Sequence, residues 1–193
     1  MALYHKFKDI ISEWHKNNLS VKNIIVGFSG GPDSTCLLVL LKRYFDECDL
    51  PINIIAAHVF HDWGKVDRSF EKNEVMFRNH CIKTCKEMNI SLEIHNGNLD
   101  DFTKFGNGSL EASGRLMRRA FFESLMQKHE SSIVALAHTI DDNLETFFIK
   151  LIRGANVFGL SGMNTFDKKY FRPLLKIEKT EITKFLEKEK KNI

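Results

Sequence analysis

Residues 29–34 read SGGPDS and interrupt an otherwise apolar run between Val26 and Leu38. Ser29, Gly30 and Gly31 leave the backbone free to turn sharply and to present its N–H groups, while Ser34 and Thr35 fall where a helix would begin. Backbone N–H groups at the positive end of a helix dipole can hold a phosphate without a lysine. The stretch contains neither GxxxxGK[ST] nor GxGxxG, and two readings stay open on spacing alone: a tight turn, or a phosphate cradle.

Three other groups have the composition of a site. His58 and His61 stand at the end of a second apolar run, at a metal-ligand spacing that lacks a third ligand. The segment AHTIDDNLET places His138 before Asp141, Asp142 and Glu145. Asp142 and Glu145 are three apart and share one face of a helix's first turn, where a carboxylate pair suits an ammonium. Asp141 is the acidic residue expected to cap that helix. His138 reads either as a capping or core residue or as a group facing the crevice. Arg115 and Arg118 lie one turn apart in LEASGRLMRRAFF, and either arginine alone reads as a solvated face.

These residues need elements to carry them. Leu3, Phe7, Ile10, Ile11 and Trp14 recur at helical spacing, so the chain opens with a helix within residues 1–20. Four apolar runs then read as strands: NIIVGFS, INIIAAHVF, ISLEIHN and SSIVALAH. Each precedes a helical pattern: STCLLVLLKRYFDE, RSFEKNEVMFRNHCIKTCKEM, SLEASGRLMRRAFFESLMQKH and IDDNLETFFIKLIRG. The alternation predicts an α/β fold, a parallel sheet with helices on both faces. Such sheets collect their ligands at the carboxyl ends of the strands, where SGGPDS, HVFHDWG and AHTIDD all fall. Residues 96–108 and 154–171 read as irregular loops, and a final helix is expected from about Glu178.

Composition narrows the class. At 193 residues, with 43% hydrophobic and 27% charged, the chain has the makeup of one folded domain. With 28 basic and 25 acidic residues, net charge does not announce a nucleic-acid partner. The lysine-rich end, KIEKTEITKFLEKEKKNI, reads as a solvated amphipathic helix. Cys36, Cys48, Cys81 and Cys85 show no paired-cluster spacing and no apolar run is long enough for a span, so reduced thiols, a cytoplasmic location and no membrane partner are expected.

The motif SGGPDS resembles the SGGxDS signature of the N-type ATP pyrophosphatases, the PP-loop family, whose fold is adenine nucleotide alpha hydrolase-like. AAHVFH, LEASGRLMRRAFF, LAHTIDDNLETFFIKLIRG, GLSGM and FRPLL, followed by a helix containing Glu181 and Ile182, are similar in type and order to motifs of the tRNA(Ile)-lysidine synthase branch. The likeness runs from about Ile24 to Leu186. It implies that Ser29, Gly30, Gly31, Pro32 and Ser34 hold the pyrophosphate end of ATP and that Asp33 organises Mg²⁺ or the reacting groups. Arg115 would contact the phosphates, with His138 facing the nucleotide, and His58 and His61 would lie beside adenine and the target base. Asp142 and Glu145 would bind L-lysine.

The branch's chemistry is ATP-dependent adenylation of the wobble cytidine of tRNA(Ile) with a CAU anticodon, followed by C–N bond formation with lysine. HDWGKVDR departs from the family's HGLR continuation, and Arg119 stands where an aromatic residue is common. The resemblance divides residues 1–193 into the opening helix, a nucleotide-binding core over 21–160 and a segment over 161–193, with the family's further tRNA-binding domains absent. A homodimer stays open. Two rival functions are a PP-loop tRNA thiolation enzyme, which would want CxxC cysteines, and a non-catalytic ATP-binding module, which would not need Asp142 and Glu145.

Overall fold

The structure is a computed structural model and describes residues 2–60, 71–97, 110–154 and 162–190. His61 and nearly all of the loop expected over 96–108 lie outside the described residues, as does much of GLSGM. Six helices and six strands are described: α1 (Ala2–Lys16), β1 (Asn23–Gly27), α2 (Pro32–Glu47), β2 (Asn53–Phe60), α3 (Glu71–Glu87), β3 (Ser91–Asn96), α4 (Leu110–Lys128), β4 (Ser132–Ala135), α5 (Ile140–Ile152), β5 (Phe166–Asp167), β6 (Tyr170–Phe171) and α6 (Lys179–Lys190).

The strands form one sheet in the order β3-β2-β1-β4-β6-β5. All neighbours are parallel except β5 and β6, which form an antiparallel pair at one edge. The α/β reading therefore holds, with three corrections, one being that the fourth strand stops at Ala135 rather than running on to His138. The segment expected to be an irregular loop up to Phe171 ends in the β5–β6 hairpin, whose two-residue strands are too short to show a period. The first strand stops at Gly27 rather than Ser29, although the Phe28 N–H still donates to the Ala57 carbonyl at 2.9 Å.

Alternation along the strands sorts the core into two layers. Ile24 and Val26 of β1, Ala56 of β2, and Ile133 and Ala135 of β4 pack with residues of α1, α2, α3 and α6. Ile25, Ala57 and Val134 point the other way, onto Phe122 and Leu125 of α4. Gly27 marks how tightly α4 lies there: a Cβ would sit 2.9 Å from Leu136 Cδ2 and 3.1 Å from Phe122 Cζ. Helix α5 differs from the rest in burying none of its residues, and Leu144, Phe148 and Ile152 are exposed.

At the centre of the sheet, β1 and β4 are adjacent, and the order runs outward from them in opposite directions. This is the switch point at which a doubly wound sheet opens a crevice beyond its strand ends. The loops that follow β1 and β4 carry SGGPDS and AHTIDD.

Candidate active site

The loop after β1 is shaped by contacts within a few residues. Gly30 adopts φ +83°, a left-handed conformation that disfavours a side chain. A Cβ there would also meet Cys81 Sγ and the Phe77 carbonyl oxygen, each at 3.1 Å. Gly31 is the N-cap of α2 and Pro32 opens it, with no side chain capping the helix. Ser34 Oγ and Thr35 Oγ1 turn back to donate to the Gly31 carbonyl at 3.0 and 2.9 Å. Ser29 Oγ lies 3.1 Å from Ser34 Oγ and accepts from the Gly31 N–H at 3.3 Å. The first-turn N–H groups of α2 thus have no side-chain partner competing for them, and the helix dipole favours an anion there.

His58 lies behind this loop. It is 5% exposed, and its Nδ1–H donates to the Phe28 carbonyl at 2.8 Å, one residue before Ser29. Burial lowers its pKa, so the ring is neutral near pH 7. Cys81 Sγ is 3.4 Å from the same nitrogen. His58 therefore touches the loop through its backbone, and α3 presses Cys81 against Gly30 from below.

The second half of the site follows β4. Thr139, fully buried, caps α5 in a capping box, and the cap is not Asp141 as the sequence suggests. Asp142 Oδ2 accepts from the Thr139 N–H and from Thr139 Oγ1, both at 2.8 Å. Asp141 instead reaches the next helix, its Oδ2 accepting from the Lys179 backbone N–H at 3.0 Å at the start of α6. Asp142 Oδ1 accepts from Lys179 Nζ at 2.8 Å. Burial pushes the Asp142 carboxyl up, but the hydrogen bonds from Lys179 and Thr139 outweigh it and leave the pKa below the ordinary value. Glu145 is exposed one turn along, without an ion pair among the described residues.

The two halves meet electrostatically. Burial raises the Asp33 pKa, Lys179 draws it down, and the charges of Asp142 and Asp141 raise it again. One lysine and three aspartates from α2, α5 and α6 therefore share a field. On the other side, burial lowers the His138 pKa; Arg172, Arg118 and Arg115 lower it further, against an opposing pull from Asp142. The His138 Nδ1 and Arg172 Nε atoms are buried with no hydrogen-bond partner among the described residues. Arg172 Nη1 is held by the Asn164 carbonyl and Asp167 Oδ2, each at 3.1 Å.

Of the residues predicted from sequence, the structure brings Asp33, His138 and Asp142 into one electrostatic group, with Arg115 acting on His138. It adds Arg172 and Lys179, which sequence reasoning did not single out. Arg172 lies within the FRPLL motif; for Lys179 the local residues carried no signal beyond a lysine at a helix start.

A profile of the PP-loop domain family, ATP_bind_3, matches residues 3–192. The chain belongs to the PP-loop family. Its ATP-binding assignment fits the geometry: a glycine turn at an uncapped helix start, following a strand paired with the one that leads to His138. Among curated relatives, the chain is 36% identical over 182 residues to a tRNA(Ile)-lysidine synthase of Clostridium tetani, covering 92% of this chain and 37% of that protein. It is 37% identical over 174 residues to the tRNA(Ile)-lysidine synthase of Bacillus subtilis, covering 87% of this chain and 35% of that protein. The chain thus spans little more than a third of these relatives.

Among solved PP-loop-like folds, the U34-tRNA thiolase NcsA from Methanococcus maripaludis, with its [4Fe-4S] cluster, superposes with a TM-score of 0.72 at 22% identity, covering 96% of this chain and 63% of that one. An NH3-dependent NAD synthetase from Campylobacter jejuni superposes at 0.59 and 20% identity, covering 96% of this chain and 72% of that one. These two likenesses show the fold.

Proposed function

We propose that this PP-loop chain is the catalytic part of a tRNA(Ile)-lysidine synthase, a cytoplasmic ligase that forms a C–N bond. Its substrates are ATP, L-lysine and tRNA(Ile) with a CAU anticodon. The cytidine O2 attacks the α-phosphate and pyrophosphate leaves; the lysine ε-amine then attacks C2 and AMP leaves.

One observation carries the reading. Asp142, in the same field as Asp33 of the phosphate loop, already holds a lysine ammonium at 2.8 Å, that of Lys179. An alkylammonium seat beside a phosphate cradle is what amine transfer onto an adenylated base requires, and a plain ATP-holding module has no use for it.

In this reading Ser29, Gly30, Gly31, Pro32 and Ser34 cradle the pyrophosphate end with the uncapped N–H groups of α2. Asp33 offers a carboxylate to Mg²⁺, which when bound neutralises charge on the phosphates. Arg115, Arg118 and Arg172 stabilise charge gathering at the α-phosphate. His138, kept neutral by burial and these arginines, is available as a proton acceptor. His58 holds the loop that contacts the nucleotide. Asp142 and Glu145 receive the lysine.

The cysteines disfavour sulfur transfer. Three of the four, Cys36, Cys81 and Cys85, are buried, and burial pushes their thiols up to about 12, 12 and 11, where thiolate is scarce; the fourth, Cys48, is exposed and has no second cysteine at CxxC spacing.

The test is release of AMP from labelled ATP, with Mg²⁺ and tRNA(Ile), in the presence and absence of lysine. Lysine-dependent release is expected. Release that needs a sulfur donor instead points to thiolation, and binding without turnover points to the module. Asp142→Ala should remove lysine dependence while sparing ATP binding.

A further inference from the structure

Asp142 has two oxygens with different employment. Oδ2 takes both Thr139 donors at 2.8 Å and so fixes the carboxylate to the start of α5. Oδ1 is the oxygen open to a ligand, and Lys179 Nζ sits on it at 2.8 Å. That side chain is 46% exposed, so the ammonium lies at the mouth of the site rather than sealed inside it.

We propose that Lys179 is a positioning residue for the amine step, a fixed positive charge on Asp142 that loosens the grip on the incoming lysine and favours the neutral form of its ε-amine. The inference rests on the reading of Asp142 as the lysine seat. A second ammonium must either share Oδ1 with Lys179 or push it aside, and both weaken binding of the charged form. The attacking nitrogen needs its lone pair, so the bound ammonium must first lose a proton to water. A neighbouring positive charge promotes that loss.

The surroundings keep Lys179 charged. Asp142 and Asp141 face it from α5 and Asp33 from α2, and the hydrogen bond to Asp142 raises its pKa before the other charges add to it. On α6 itself, Glu181 is engaged by Lys6 of α1 at 2.7 Å. His138, the titratable group that also feels the Asp142 charge, is held neutral. Lys179 is thus the one positive charge that the described residues place on the Asp142 carboxylate.

The experiment compares the full chain with Lys179→Met and Lys179→Arg, reading kcat and KM for lysine between about pH 6 and 9. Carbon-13 titration of the ε-carbon of bound lysine supplies a second readout. Lys179→Met should lower KM for lysine several-fold, reduce kcat at neutral pH, and move the limb for amine deprotonation up by about one pH unit. Lys179→Arg should restore all three, and in the parent protein the bound amine should titrate below free lysine. A raised KM with an unmoved limb, or no change in either, overturns the role and leaves Lys179 a structural ion pair. Should Lys179→Met fail to fold, an unshifted titration of lysine bound to the parent protein overturns it equally. If Asp142→Ala keeps using lysine, the seat itself is misassigned; if it cannot while Lys179→Met behaves like the parent, only the role of Lys179 fails.

Discussion

Gly30 is where one residue carries two requirements at once. Its φ of +83° and the 3.1 Å approach to Cys81 and Phe77 both exclude a side chain. Gly30→Ala should therefore cost about 1–2 kcal/mol from the left-handed backbone alone, visible in urea melts, and weaken ATP binding further because the N–H groups move with the loop. His138 gives a pH prediction. Its folded-state pKa lies below the ordinary 6.5, so the unfolded chain takes up a proton that the folded chain resists. Its contribution is therefore present above about 6.5 and is lost as pH falls through the window beneath that value. His138→Gln should flatten the acid side of a stability-against-pH curve, leaving the part due to His58, which is depressed in the same sense. The phosphate loop was legible because its side-chain hydrogen bonds lie within six residues of each other. Lys179 was not, because its partner is 37 positions away and lysine-rich helix starts are common on surfaces.

At the scale of elements, the start of α5 links three functions. Thr139 caps the helix, its two donors orient Asp142, and Asp141 reaches across to cap α6. The sequence placed the acidic residues on the first turn correctly but gave the cap to Asp141, since a threonine following a histidine looks like the end of a strand. Thr139→Ala should cost about 1 kcal/mol in chemical denaturation, as for other cap losses. It should also weaken lysine use more than ATP use, because Asp142 loses the hydroxyl donor to Oδ2, keeping only the backbone N–H, while the phosphate loop is untouched. Thr139→Ser, which keeps the hydroxyl, should recover most of both.

For the whole molecule, the last helix is part of the core. Ile182 and Phe185 of α6 are 0% and 6% exposed, while Lys6 to Glu181 ties α6 to α1. Phe185→Ala should cost about 3 kcal/mol, measured as a lower urea midpoint, and should also loosen Lys179 from Asp142. The alternation of strands and helices made the parallel sheet readable from sequence. The β5–β6 hairpin was hidden because two-residue strands leave no periodic trace, yet it positions Arg172 immediately after Phe171. Phe171 in turn stacks on Trp14 at 4.7 Å between ring centroids, within a tilt of 13°. Trp14 is 6% exposed, and the chain has two tryptophans, of which Trp63 lies outside the described residues. With Trp63 replaced by phenylalanine, the emission of Trp14 becomes an internal optical gauge of the strand that carries Arg172, so events at the crevice can be followed from the opposite end of the chain without adding a label.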